Sequence, residues 1–155
     1  MEPRGEALPE PRPVGPAGAF VRALGRLVEI RVGRITHVAD VERMHADVVG
    51  AMEGAAATGC VICCDCRGAS PLTPDAADAW SRAMREVSPF VERGSVLVDA
   101  ANTMFNLQVE RVVRCAGIPS GQLFFDGDAT FEWLQGVLTE PERSELRSFL
   151  ANADA

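Results

Sequence analysis

Three kinds of side chain in this sequence sit where they could do chemistry. Cys60, Cys63 and Cys66 make two overlapping C-x-x-C spacings, a pattern that serves zinc binding and thiol–disulfide exchange. Asp65, Asp99 and Asp126 each close a short, mostly apolar run. Carboxylates gathered at such places can hold Mg²⁺ for phosphoryl transfer. Arg67, Ser70 and Thr73 belong to a loop reading Arg67-Gly-Ala-Ser-Pro-Leu-Thr-Pro74, which offers two hydroxyls beside one guanidinium.

Each set also has a plainer reading. Residues three apart on a strand point to opposite faces, so neither cysteine pair converges on one ion. Free cysteine packs as a small hydrophobe, and core packing is expected, with no zinc and with Cys66 the most exposed of the group. The histidines, His37 and His45, have no ligand-like spacing. Aspartates at strand ends commonly form turns and face helix N-termini. A hydrolase nucleophile wants G-x-S-x-G, which the Ser70 loop lacks. Asn102 and Asn106 offer amides at a helix start, and capping is the expected role.

The elements that would carry these residues follow from periodicity. Cys60–Asp65 is a short apolar run bounded by turn residues, as in a strand buried on both faces. Thr73 can cap a helix with Pro74 at its first position, where a missing N–H is harmless. Phe20–Leu24 and Leu27–Ile35 read as a hairpin across Gly25-Arg26. Val38, Val41, Met44, Val48, Val49 and Met52 recur at helical spacing. Further strands are expected at Ser95–Asp99 and Gln122–Asp126. Trp80, Val112 and Leu134 fall on the inner faces of later helices, Gly117 is a stop, and Asp128 is a cap. Thr139-Glu-Pro-Glu142 matches a capping box for a last helix presenting Leu146, Phe149 and Leu150.

Alternating βα units predict a mixed, mostly parallel five-stranded α/β sheet with helices on both faces, over residues 19–152. Ligands and partners of such sheets meet the loops beyond the strand carboxyl ends, where all three aspartates and the Ser70 loop would lie. Met1 to about Gly18 holds five prolines and few large apolar groups, the composition of a disordered tail.

Composition narrows the function classes. A net charge of −7 argues against nucleic acid and anionic membrane surfaces, which need a basic footprint. Every basic residue except the two histidines is arginine, so lysine-dependent chemistry (Schiff bases, P-loops) is excluded. Five cysteines, an odd number, with no secretory h-region lead to the expectation of a reducing cytoplasm. No apolar run reaches the roughly 18 residues of a membrane span.

The element order, the strand and loop Cys60–Thr73 before a helix, the unit Ser95–Cys115, and Leu123-Phe-Phe-Asp126 followed by Phe131-Glu-Trp-Leu134 resemble the STAS-like family. That family includes the bacterial SpoIIAA-type anti-sigma-factor antagonists and a SpoIIAA-like group related to lipid-binding CRAL-TRIO folds. The resemblance spans about Ala19 to Leu138. It implies a non-enzymatic regulatory module that docks a protein partner or a second copy of itself. Its site would be the loop and helix after the central strand, with Arg67, Ser70 and Thr73 as candidates and no cofactor. SpoIIAA-type antagonists carry a phosphorylatable serine in an Asp-Ser motif at this junction, where the chain instead has Ser70-Pro-Leu-Thr73-Pro74. The alternative is a Mg²⁺-dependent phosphoryl-transfer or nucleotide-using enzyme built on Asp65, Asp99 and Asp126.

Overall fold

The computed structural model describes residues 18–54, 59–117 and 121–152. The proline-rich tail therefore lies outside the described residues except for Gly18. That glycine exchanges backbone hydrogen bonds with Gly33 and Arg34 and so belongs to the sheet margin.

The chain begins with a hairpin, β1 (Ala19–Leu24) and β2 (Leu27–Val32). Leu24 pairs with Leu27, leaving Gly25-Arg26 as a two-residue turn with Gly25 at φ +57°. Then follow α1 (Val38–Gly54), β3 (Cys60–Asp65), α2 (Pro74–Val87), β4 (Val91–Leu97), α3 (Thr103–Ala116), β5 (Gly121–Phe124), α4 (Gly127–Gln135) and α5 (Glu140–Ala151). A 3-10 turn at Ser88–Phe90 leads α2 directly into β4, which therefore starts four residues before the expected Ser95. The α/β sheet has the order β1-β2-β3-β4-β5, antiparallel only between β1 and β2, and β3 is its central strand.

Strands laid down in sequence order have a consequence for the layers. Each parallel crossover steps the same way, and the right-handed rule then sends every connecting helix to one face. The core agrees with that rule. Val41, Met44 and Val48 of α1, Trp80 of α2, and Phe105, Val109 and Val112 of α3 pack on Val28, Ile30, Cys60, Cys64 and Val96. The other face would be bare but for α4 and α5, whose Leu134, Leu146, Phe149 and Leu150 cover Leu27, Val61, Cys63 and Leu97.

The helix signals work as their chemistry requires. Thr73 Oγ1 accepts from the Ala76 N–H, with Pro74 at the first position of α2. Thr139 and Glu142 form the reciprocal capping box of α5, and Gly117 closes α3 in the left-handed region. At α4 the cap is Asp126, which accepts from the Asp128 N–H, so the helix begins two residues before Asp128 would have started it.

Two glycines should respond oppositely to alanine. A Cβ at Gly25 would collide with Glu142 Oε2, and alanine there would have to hold a left-handed backbone. Gly25→Ala should cost about 1–3 kcal/mol in urea unfolding. Gly50, inside α1, has open space where a Cβ would go, so Gly50→Ala should gain about 0.5–1 kcal/mol in the same measurement.

Candidate functional site at the carboxyl edge of the sheet

The register fixes this edge. Asp65 pairs with Leu97 and Leu97 with Phe124, so β3, β4 and β5 end in one row. Asp65 is the last residue of its strand, whereas Asp99 and Asp126 lie two residues beyond theirs, in loops.

The three aspartates are put to separate uses. Asp65 is buried, and its carboxylate is clamped by two guanidiniums. Arg31 Nη1 donates to Oδ2 at 2.6 Å, and Arg67 donates to both oxygens at 3.0 Å, with its own backbone N–H also on Oδ1. Asp99 Oδ1 accepts from the Ala101 N–H in a turn before α3. Asp126 caps α4. Among the described residues, no group of three or more His, Cys, Asp or Glu side chains is close enough to hold a metal ion.

Both guanidiniums have second tasks. Arg31 Nη2 donates to the Phe149 carbonyl at 2.9 Å, and Arg67 Nη2 to the Leu150 carbonyl at 3.0 Å. These carbonyls belong to the last turn of α5, which has no intrahelical donors for them. Arg31 also lies over the Phe149 ring, 4.3 Å from its centroid. Two cations around one carboxylate leave a net positive charge at the negative end of the helix dipole. Arg67 is thus an internal strut tying β3 to α5.

The loop from Arg67 to Thr73 is held rigidly rather than left adjustable. Gln108 of α3 grips Leu72 on both sides, donating to its carbonyl at 2.7 Å and accepting from its N–H at 2.8 Å. Asn102 Nδ2 donates to the Ala69 carbonyl at 2.8 Å, so this residue sits at the N-cap position of α3 without capping it. Asn106 Nδ2 holds the Asp99 carbonyl at 2.8 Å. Ala69 and Leu72 are buried beneath. Ser70 Oγ is also buried, with no hydrogen-bond partner, so a kinase could reach it only after the loop opens. Thr73 is exposed, its hydroxyl engaged as the cap of α2.

The cysteines divide between the faces as strand alternation demands. Cys60, Cys64 and Cys66 pack with α1–α3, and Cys63 packs with α4 and α5, so each C-x-x-C pair is split by the sheet. Cys66 is fully buried, against the expectation of exposure. The chain continues extended past Asp65, and the Cys66 N–H bonds the Leu97 carbonyl, which carries its side chain into the core. Burial pushes the thiols of Cys60, Cys63 and Cys66 up from their ordinary value, which makes them poor nucleophiles.

Gln108 and Arg31, which position this edge, and Glu29, further back on β2, escaped the sequence reading. Gln108 gives no local signal, because its contact is long-range. Glu29 and Arg31 did leave one: with Leu27 they share a strand face, and charges recurring at period two inside an apolar run point to a buried polar network. An apolar cavity of about 70 Å³ between Ile62, Cys64, Val96, Trp80, Ala83 and Met84 is less than half the roughly 150 Å³ that admits benzene. No family model, curated protein or solved structure matches this chain.

Two measurements check this arrangement. Asp65→Ala leaves two partly buried arginines without their buried counter-charge and should cost about 3–5 kcal/mol of unfolding free energy. With a thiol reagent on the native protein, Cys115, which is exposed, should react quickly. The buried Cys60, Cys63, Cys64 and Cys66 should react only on unfolding.

Proposed function

We propose that this chain is a non-enzymatic, STAS-like interaction module that captures a protein partner at the carboxyl edge of its sheet. The docking surface runs from Thr73, at the start of α2, across Met104 and Leu107 on α3 to Phe125 beyond β5. What supports this reading is a rigid platform carrying large apolar side chains that no described residue covers. Met104, Leu107 and Phe125 are 64%, 65% and 59% exposed. Met104 and Leu107 stand three apart, one turn of the same helix face. Gln108 locks the loop before Thr73 to this part of α3. α3 begins, and β5 ends, at the carboxyl edge, so all of these residues belong to one end of the domain.

The partner chemistry follows. A binder must present apolar side chains to cover these three, on a footprint of about 800 Å² per partner for a stable complex. Because the platform is preformed, binding needs little ordering of this chain. The Ser70 hydroxyl, buried under the clamped loop, serves the platform rather than the contact. Arg67, Asp65, Asp99 and Asp126 act as its supports.

The test uses capture from the native host with the chain as bait. Leu107→Asp should abolish capture of the specific partner while leaving the melting temperature within about 2 °C, because an exposed position contributes little to stability. Arg147→Glu on α5, on the opposite face, should leave capture intact. Equal capture by wild type and Leu107→Asp, or loss only with Arg147→Glu, would move the interface elsewhere. If sedimentation shows a dimer that Leu107→Asp dissolves, the partner is a second copy.

A further inference from the structure

On the face covered by α5, far from the proposed docking surface, lies a second polar cluster. Glu29, in the middle of β2, is 1% exposed. Arg22, its register partner on β1, donates to its Oε1 at 3.3 Å and also pairs with Glu145, in the middle of α5. Glu29 Oε2 is buried without a hydrogen-bond partner. Two carboxyls therefore share one guanidinium, and that guanidinium is half in solvent.

One cation cannot neutralise two carboxylates, and a bare, buried carboxylate oxygen is among the least tolerable groups in an interior. A proton on Glu29 resolves both problems. It removes one charge and gives Glu29 a donor for the neighbouring Glu145 carboxyl.

We propose that the docking of α5 on the sheet is proton-linked: a proton held between Glu29 and Glu145 keeps the middle of α5 down, and its loss to solvent loosens the helix from β2. The charges facing Glu29 from the packed elements are few. β1 supplies Arg22 and α5 supplies Glu145. β3 supplies Cys63, its register partner, whose thiol burial keeps neutral. Further along the same face, Asp65 is shared by Arg31 and Arg67, a cluster that carries one net positive charge.

Burial, reinforced by Glu145, raises the Glu29 carboxyl from its ordinary 4.5 to about 8, with Arg22 opposing. Once α5 lifts, Glu29 meets water and returns to its ordinary value. The docked state thus binds the proton more tightly. The stabilisation is fully present below about pH 4.5 and is lost as pH rises toward about 8, beyond which no further loss occurs. Glu142, at the start of α5, behaves oppositely. Burial raises its carboxyl, but N–H groups of Thr139 and Arg26 outweigh that and hold it below its ordinary value. It is ionised throughout the window and adds no slope there.

Loosening α5 would uncover Leu27, Val61, Cys63 and Leu97, an apolar face that α4 alone cannot close. The proton is therefore positioned to govern how often this second face is seen by solvent.

Amide hydrogen exchange between pH 5 and 9, corrected for intrinsic exchange, tests the proposal on the full chain. In wild type, protection of residues 140–151 should fall by up to tenfold per pH unit to about pH 8 and then level, while α3 changes little. Glu29→Gln, neutral and still able to donate, should flatten the α5 profile. Glu145→Gln should bring the levelling to lower pH, because the neighbour that raises Glu29 is gone. Wild-type protection independent of pH would overturn the proposal. So would an unchanged slope in Glu29→Gln, an unshifted plateau in Glu145→Gln, or an equal fall in α3, which would mean global rather than local loosening.

Discussion

Laying five strands down in sequence order gives every crossover helix to one face, and much else in this protein answers to that constraint. α1, α2 and α3 close one side of the sheet as the chain winds along it. The other side is covered by α4 and α5, which come after β5 in the chain. α5 is fastened to the sheet by apolar and polar side-chain contacts of its own. Leu146, Phe149 and Leu150 supply burial, at about 1.5–3 kcal/mol for each large apolar side chain. Burial alone fixes neither the helix's rotation nor its slide along the sheet. The polar contacts do that, and they fall at both ends and the middle: Glu142 on the Arg26 N–H, Glu145 at Arg22 and Glu29, and Phe149 and Leu150 on the two arginines of Asp65.

Arginine is suited to this work, and lysine is not. Arg31 and Arg67 each divide one guanidinium between a carboxylate and a helix carbonyl. Arg26 spreads over Gly59, Glu92 and the Val137 carbonyl, and Arg93 reaches the Trp133 carbonyl while lying over its ring. A planar fork of five donors can serve two acceptors set apart, whereas an ammonium is a compact point charge. The lysine-free composition therefore coincides with a structural use of what arginine offers.

The parts of the fold legible in the sequence are those set by short-range chemistry. Thr73-Pro74, Thr139 through Glu142, Gly25-Arg26 and Gly117 each declare a local backbone state. The alternation of β3 splits the cysteines between faces as period two requires. What the sequence could not give was the partner of each polar group. Asn102 looks like a cap and is instead a tether to Ala69. Cys66 looks like a strand-end thiol and is core, because β3 stays extended for one more residue. β4 and β5 end two residues before Asp99 and Asp126, which leaves both aspartates in loops rather than on strands. At the candidate site, the loop's location followed from the βα pattern. Its rigidity did not, since Gln108 lies 36 residues from Leu72.

The two faces end up with different kinds of stability, and that difference bears on function. On the α1–α3 side the packing is almost wholly apolar and contiguous, from Val28 to Val112. The proposed docking residues Met104 and Leu107 stand on α3, which belongs to this side. On the α5 side the apolar cluster is smaller and is crossed by a row of buried charges. Those charges are satisfied at Asp65 and left one donor short at Glu29. A satisfied network fixes one geometry, and a network short of one donor fixes it only while a proton is present. The same helix is thus clamped rigidly at its carboxyl end and conditionally at its middle. Any opening should therefore begin near Glu145, with the turn held by Arg31 and Arg67 the last to leave the sheet.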